Sequence, residues 1–238
     1  MAIAPAWDNI FRTACSGPAK RKKMNKKNKI RGLYAITPEI ADDNLLVEQV
    51  RQVLLGGAGM VQYRSKSSDN AMKYRQGKQL QQLCREHDAL FIINDDLDLT
   101  IKLNADGVHL GQEDMTIRQA RVALGPRCII GASCYNNLET ARLAQQAGAD
   151  YLAFGAVFPS GSKPRAVHAP LDLFAAARVL ERPLVAIGGI HANNAHTVLQ
   201  AGADAVAVIQ GLFGTPDPRQ AAKTLAALFQ LPSRPAIN

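Results

Sequence analysis

Between residues 31 and 230 the chain alternates, eight times over, a short apolar run with a longer stretch of helical periodicity. The apolar runs predict strands at 32–36, 60–64, 90–94, 107–110, 128–132, 151–154, 184–187 and 205–209. The stretches between and after them predict helices at 44–54, 70–87, 97–103, 117–124, 138–147, 171–180, 193–201 and 218–228. Runs such as LVAI and AVAVI are apolar on both strand faces, as in a parallel sheet covered on both sides. Eight βα units in about 200 residues fit a single (β/α)8 TIM barrel at the compact end of its range.

An internal repeat points the same way. The segments GAGMVQYR from Gly57, NADGVHLG from Asn104, GADYLAFG from Gly148 and GADAVAVI from Gly202 each run from a turn into an apolar strand. Every one opens on Gly or Asn just after a predicted helix, where a left-handed residue is wanted. The even-numbered strands are thus entered by one kind of helix end. A doubly wound open sheet is the alternative, but the first strand is followed by ITPEI rather than a G-x-G-x-x-G fingerprint. The barrel is favoured.

The formal net charge of +8 invites a nucleic-acid partner until it is divided by position. Residues 1–31 hold nine of the 28 Lys+Arg and one of the 20 acids, which leaves 19 of each for the rest. The basicity belongs to a leader over residues 1–30, read as a disordered, solvated tail. Met24 offers an alternative start just before the first strand. The catalytic domain is expected over 31–230, with a short tail at 231–238. A neutral body argues against nucleic acid. With 47% hydrophobic residues the chain is not a disordered one. It has no apolar run long enough for a membrane span and no secretory h-region. Cys15, Cys84, Cys128 and Cys134 form no C-x-x-C pair, so reduced thiols and a cytoplasmic location are expected. A homo-oligomer is compatible with the sequence.

Barrel chemistry collects where strands end and βα loops begin. Those positions carry Gln62, Arg64 and Lys66, Asn94 and Asp95, His109 and Asp114, Ser133, Ser160-Gly161-Ser162-Lys163, Gly188-Gly189 and Gln210-Gly211. If the second strand persists, Gln62, Arg64 and Lys66 share a face, and two cations with an amide suit a multiply charged anion. The alternative is that Arg64 and Lys66 merely pair with nearby acids. Asp95 and Asp114 follow adjacent strands and are candidate Mg²⁺ ligands, whereas Asp96 fits a helix N-cap. His109 reads as a satisfied strand histidine rather than a base. The glycines after the seventh and eighth strands match a phosphate site of barrels.

The segments LYAIT, VQYRSK, IINDD, ADGVHLGQEDM, IIGASCYN, GADYLAFGAVFPSGSKP, VAIGGI and AGADAVAVI, in this order, resemble the thiamine-phosphate synthase family. The resemblance implies a transferase that couples a hydroxymethylpyrimidine diphosphate to a thiazole phosphate, giving thiamine phosphate and diphosphate through a dissociative, carbocation-like step. It implies that Gln62, Arg64, Lys66 and Asn94 hold the pyrimidine diphosphate, with Ser133 and Lys163 completing the grip. Arg64, Lys66, Lys163 and Ser133 are the groups implied to serve catalysis. Asp95 and Asp114 are implied to ligate Mg²⁺. Ser160, Gly161, Ser162, Gly189 and the backbone of Ile209 and Gln210 are implied to take the thiazole phosphate. The chain departs from the family pattern at Ser160-Gly161-Ser162, at Gln210 and at Tyr63, which should point away from Gln62. Such chemistry requires no activated nucleophile, and no Ser-His or Cys-His arrangement is expected. The rival within the fold, a thiazole tautomerase, should lack the diphosphate and metal set.

Overall fold

The computed structural model describes residues 29–111, 115–159 and 167–230. The leader and the C-terminal tail expected at 231–238 lie outside them, apart from the leader's last residues. Eight parallel strands follow one another in chain order and the first pairs with the eighth, so the sheet is a closed barrel. The strands are β1 Gly32–Ile36, β2 Met60–Tyr63, β3 Leu90–Asn94, β4 Gly107–Leu110, β5 Ile129–Tyr135, β6 Tyr151–Phe154, β7 Leu184–Ile187 and β8 Ala205–Val208. They alternate with α1 Asp43–Leu55, α2 Asn70–Glu86, α3 Leu97–Leu103, α4 Ile117–Leu124, α5 Leu138–Ala147, α6 Asp172–Ala177 and α7 Ala195–Ala201. Two helices follow β8: α8 Gln210–Phe213 and α9 Pro218–Ala227. The expected (β/α)8 architecture is the one adopted.

Strand parity sorts the apolar residues into two cores. Tyr34, Met60, Ile92, Ile129, Tyr151, Val185 and Ala205 cluster inside the barrel. Their outward-facing neighbours, among them Leu33, Val61, Phe91, Ile130 and Val206, pack in clusters with helix residues. Most of the described helices are started by a side chain, Thr116 on α4 among them, whereas α6, α7 and α8 have no side-chain cap. Asp42, Asp69, Asp96, Asn137 and Asp217 each accept a first-turn backbone N–H.

The repeated turn has a mechanical role. Gly57, Asn104, Gly148 and Gly202 all have the positive φ expected of them, between 49° and 112°. In three copies the next but one residue is an aspartate at the barrel floor. Asp106, Asp150 and Asp204 donate their backbone N–H to the carbonyls of Phe91, Ile130 and Leu184. Their carboxylates accept the N–H of those same three residues at 2.8–2.9 Å. Each aspartate therefore closes a two-bond clasp on the preceding odd-numbered strand. Arg121 and Arg178 pair with Asp150 and Asp204 from the helix layer. The fourth copy has Gly59 in that position and lacks the carboxylate.

Several expected boundaries move. Strand β2 stops at Tyr63 and β8 at Val208, whereas β5 runs three residues further than expected, to Tyr135. Helix α7 begins at Ala195 rather than 193, because Asn194 spends its side chain on the loop before it, accepting from His191 N and donating to Gly189 O. The stretch expected as one helix at 171–180 is α6 followed by a 3₁₀ turn at Arg178–Leu180. Helix α8 was not expected, since four residues containing a glycine give no periodicity.

Candidate active site

The mouth of the barrel gathers polar side chains from the inward faces of β2, β4 and β5. Gln62 is only 2% exposed, and its Nε2 donates to Tyr34 Oη at 2.8 Å. Tyr63 faces the helix layer, as expected, and donates to Gln76 at 2.8 Å. Arg64 and Lys66 do not share a strand face with Gln62. The Arg64 N–H leaves the sheet ladder for Thr37 Oγ1 at 3.0 Å, and that hydroxyl lies 3.3 Å from Arg64 O. The chain beyond Tyr63 is a loop latched to the segment after β1.

Glu39 completes the latch. Its carboxylate accepts the Lys66 N–H at 2.9 and 3.1 Å, and Oε1 lies 3.6 Å from the Arg64 guanidinium. The alternative weighed for these cations is thus realised at Arg64, whereas Lys66 meets the acid through its backbone. The Arg64–Glu39 pair is partly exposed, at 27% and 45%. Such pairs contribute about 0–1 kcal/mol, so Glu39 does not commit the guanidinium against another anion.

Asp95 follows β3 with a left-handed φ of 60°, and its N–H donates to His109 O at 2.9 Å. The residue is exposed, and Asn94 Nδ2 donates to its Oδ2 at 2.5 Å. Asp96 is used structurally, capping α3 through Leu99 N and pairing with Lys73 at 2.9 Å. Burial alone would raise its pKa, but the Leu99 N–H and the Lys73 ammonium hold it below the usual value. Of the two neighbouring carboxylates, Asp96 is thus committed to the helix cap and to Lys73. Among the described residues, no group of three His, Cys, Asp or Glu side chains could hold a metal ion.

Ser133 lies inside β5 rather than after it. The β5–β6 register shifts between Ser133 and Tyr135, and Tyr135 takes a φ of 52°, so the strand carries on through an irregularity. Ser133 Oγ lies 2.9 Å from His109 Nε2. This corrects the expectation that no Ser-His arrangement occurs, because β4 and β5 are neighbours and place both residues inward. His109 is satisfied, as expected, since its Nδ1 lies 3.0 Å from Tyr151 Oη and its ring stacks on Tyr151.

The loops after β6 and β7 pack together. Phe158 N donates to Gly188 O at 3.1 Å. Gly189 has a φ of 62°, and a Cβ there would run into Pro159 O and Phe158, so only glycine fits. Ile209 and Gln210 begin α8. The Gln210 side chain runs along that helix toward its C-terminal end, with Oε1 beside Gly214. Asp114, Ser160, Gly161, Ser162 and Lys163 lie outside the described residues.

Sequence reasoning passed over Tyr34, Thr37, Glu39 and Tyr151. The two tyrosines look like core residues, and burial does push both phenols well above their usual pKa. Inward strand parity shared with Gln62 and His109 was the available signal. Thr37 and Glu39 lie in a loop with no periodicity and gave none.

Comparison with known proteins then bears on this geometry. A family model described as thiamine monophosphate synthase matches residues 33–212. The thiamine-phosphate synthase of Chromobacterium violaceum is 53% identical over 201 residues, covering 84% of this chain and 97% of its own length. That of Thioalkalivibrio sulfidiphilus is 51% identical over 208 residues, covering 85% and 97%. Among solved structures, a thiamine phosphate pyrophosphorylase from Pyrococcus furiosus matches with a TM-score of 0.76 at 42% identity, covering 87% of this chain and 98% of that one.

Proposed function

The chain belongs to the thiamine-phosphate synthase family, transferases of thiamine biosynthesis, and from that premise we propose how its barrel mouth carries out the coupling. The substrates are a hydroxymethylpyrimidine diphosphate and a thiazole phosphate, and the products are thiamine phosphate and diphosphate. The observation that carries this reading is the assembly of Gln62, Asn94 and Ser133 on the inward faces of β2, β3 and β5, toward the barrel mouth, beside a latched loop bearing Arg64 and Lys66. No described helix is long and apolar enough to cross a membrane. We place the enzyme in the cytoplasm, where thiols such as the buried Cys84 and Cys134 stay reduced.

In the proposed step the pyrimidine methylene carbon parts from the diphosphate oxygen, which keeps the bonding electrons. Arg64 and Lys66, together with Lys163 from the sequence, take up the negative charge that grows on the departing group. Ser133 and Asn94 supply hydrogen-bond partners in the same region. The thiazole nitrogen then gives its lone pair to the pyrimidine carbocation, so no side chain has to act as a nucleophile. Gly189, the backbone of Ile209 and Gln210, and Ser160-Gly161-Ser162 hold the thiazole phosphate through short, unobstructed donors.

The donor chemistry at Asp95 fits Mg²⁺, a hard ion that commonly binds through one or two carboxylates and substrate phosphates. We assign Asp95 with Asp114 to it, and when bound it supplies charge neutralisation to the diphosphate. The tautomerase alternative has no support in the relatives above, which are named synthases. Incubating the chain with both substrates and Mg²⁺ should yield thiamine phosphate and diphosphate in equal amounts. Turnover of the thiazole phosphate with no coupled product would overturn the reading.

A further inference from the structure

One line of hydrogen bonds crosses the barrel interior and ends on Ser133. Gln62 Nε2 donates to Tyr34 Oη at 2.8 Å, and Tyr34 Oη lies 2.9 Å from Tyr151 Oη. Tyr151 Oη is 3.0 Å from His109 Nδ1, and His109 Nε2 is 2.9 Å from Ser133 Oγ. The five residues come from β2, β1, β6, β4 and β5.

The protons along this line are constrained by its first member. A primary amide nitrogen can only donate. Tyr34 accepts from Gln62, and its buried hydroxyl hydrogen has Tyr151 Oη as the remaining partner within reach, so it is given there; Tyr151 then gives its own proton to His109 Nδ1. The imidazole then carries its hydrogen on Nε2 and donates it to Ser133 Oγ. Every bond in the line holds one hydrogen, and the serine keeps its own for a partner outside the line. Reversed polarity would require the Gln62 oxygen to face Tyr34. It would also make Ser133 donate into the imidazole, as a serine nucleophile does.

We propose that Tyr34, Tyr151 and His109 are positioning residues that turn the Ser133 hydroxyl hydrogen outward, toward the departing diphosphate. The proposal rests on the reading of Ser133 as part of the diphosphate grip. The surroundings keep the line rigid. The His109 and Tyr151 rings stack at 5.5 Å and 15°, and Tyr34 meets Tyr151 edge-on at 6.1 Å. Gly131 opposite leaves room for the Tyr151 ring, which a Cβ there would overlap. Burial keeps both phenols protonated and able to donate. A donor already aimed at developing charge needs no reorientation when the bond breaks.

The test combines ¹⁵N NMR of the imidazoles in the full chain with coupling kinetics for Tyr151→Phe, Tyr34→Phe and Ser133→Ala. The relay predicts hydrogen on Nε2 of His109 in the unaltered protein. Tyr151→Phe keeps the ring stack but removes the proton given to Nδ1. It should mix the tautomers and lower kcat about tenfold, as for one lost hydrogen bond, with KM for the thiazole phosphate unchanged. Tyr34→Phe should act in the same direction. Hydrogen on Nδ1 in the unaltered protein would overturn the relay and favour a serine that donates to histidine. So would a Tyr151→Phe variant with native tautomer and native kcat while Ser133→Ala is impaired. Undiminished coupling in Ser133→Ala is a separate result, and it removes the reading of Ser133 itself.

Discussion

Asp95→Asn should slow coupling by about 10²–10³ at saturating substrates, the effect of about 2–4 kcal/mol of lost transition-state stabilisation. Asparagine is the informative replacement because of the backbone. Asp95 sits at a φ of 60°, which Asn tolerates and Ala does not. The new amide can still accept from Asn94 through its oxygen, so the turn after β3 should survive. What changes is the negative charge. The rate should be measured over a range of Mg²⁺ concentrations, with thermal melting as the control for folding. The variant should need more Mg²⁺ and melt like the parent. Native turnover at native Mg²⁺ demand would remove Asp95 from the site.

Asp150→Ala should lower stability by about 3 kcal/mol, since it breaks a largely buried ion pair by removing one partner. The Asp150 side chain is 8% exposed and that of Arg121 21%. One oxygen, Oδ2, takes both the Arg121 guanidinium at 2.6 Å and the Ile130 N–H at 2.9 Å. Alanine would leave a buried strand N–H and a half-buried cation without that acceptor. For a chain of this size the melting temperature should fall by roughly 6–12 °C. Asp204→Ala is the comparison, because its arginine partner is 51% exposed and contributes less. The second variant should melt at least a few degrees higher than the first. Both lie at the barrel floor, so turnover per folded molecule should stay native. Equal losses in the two would show that the strand clasp matters and the buried arginine does not.

These two aspartates mark how differently fold and site were written in the sequence. The barrel was legible because each βα unit repeats the same signals: an apolar strand, an amphipathic helix, and a left-handed Gly or Asn. The capping role of Asp96 and the outward tilt of Tyr63 followed from local rules. The clasp made by Asp106, Asp150 and Asp204 was visible only as a repeat, since its partners lie some 15–20 residues away in the preceding strand. At the site, the residue types at the strand ends were legible but their support was not. The Thr37 and Glu39 latch joins two loops, and no strand or helix period connects loops. The Ser133–His109 contact arises from the pairing of β4 with β5, so neither residue announces it alone. Tyr34 and Tyr151 were hidden by their own apolar rings, whose hydroxyls meet only once the barrel closes.

The most direct measurement is a crystal structure of the full chain with thiamine phosphate, diphosphate and Mg²⁺ bound. The account predicts diphosphate oxygens on the Arg64, Lys66 and Ser133 side chains, the ion on Asp95, and the thiazole phosphate against Gly189 and the start of α8. A diphosphate bound away from the C-terminal ends of β2, β3 and β5, with Arg64 still held by Glu39, would contradict it.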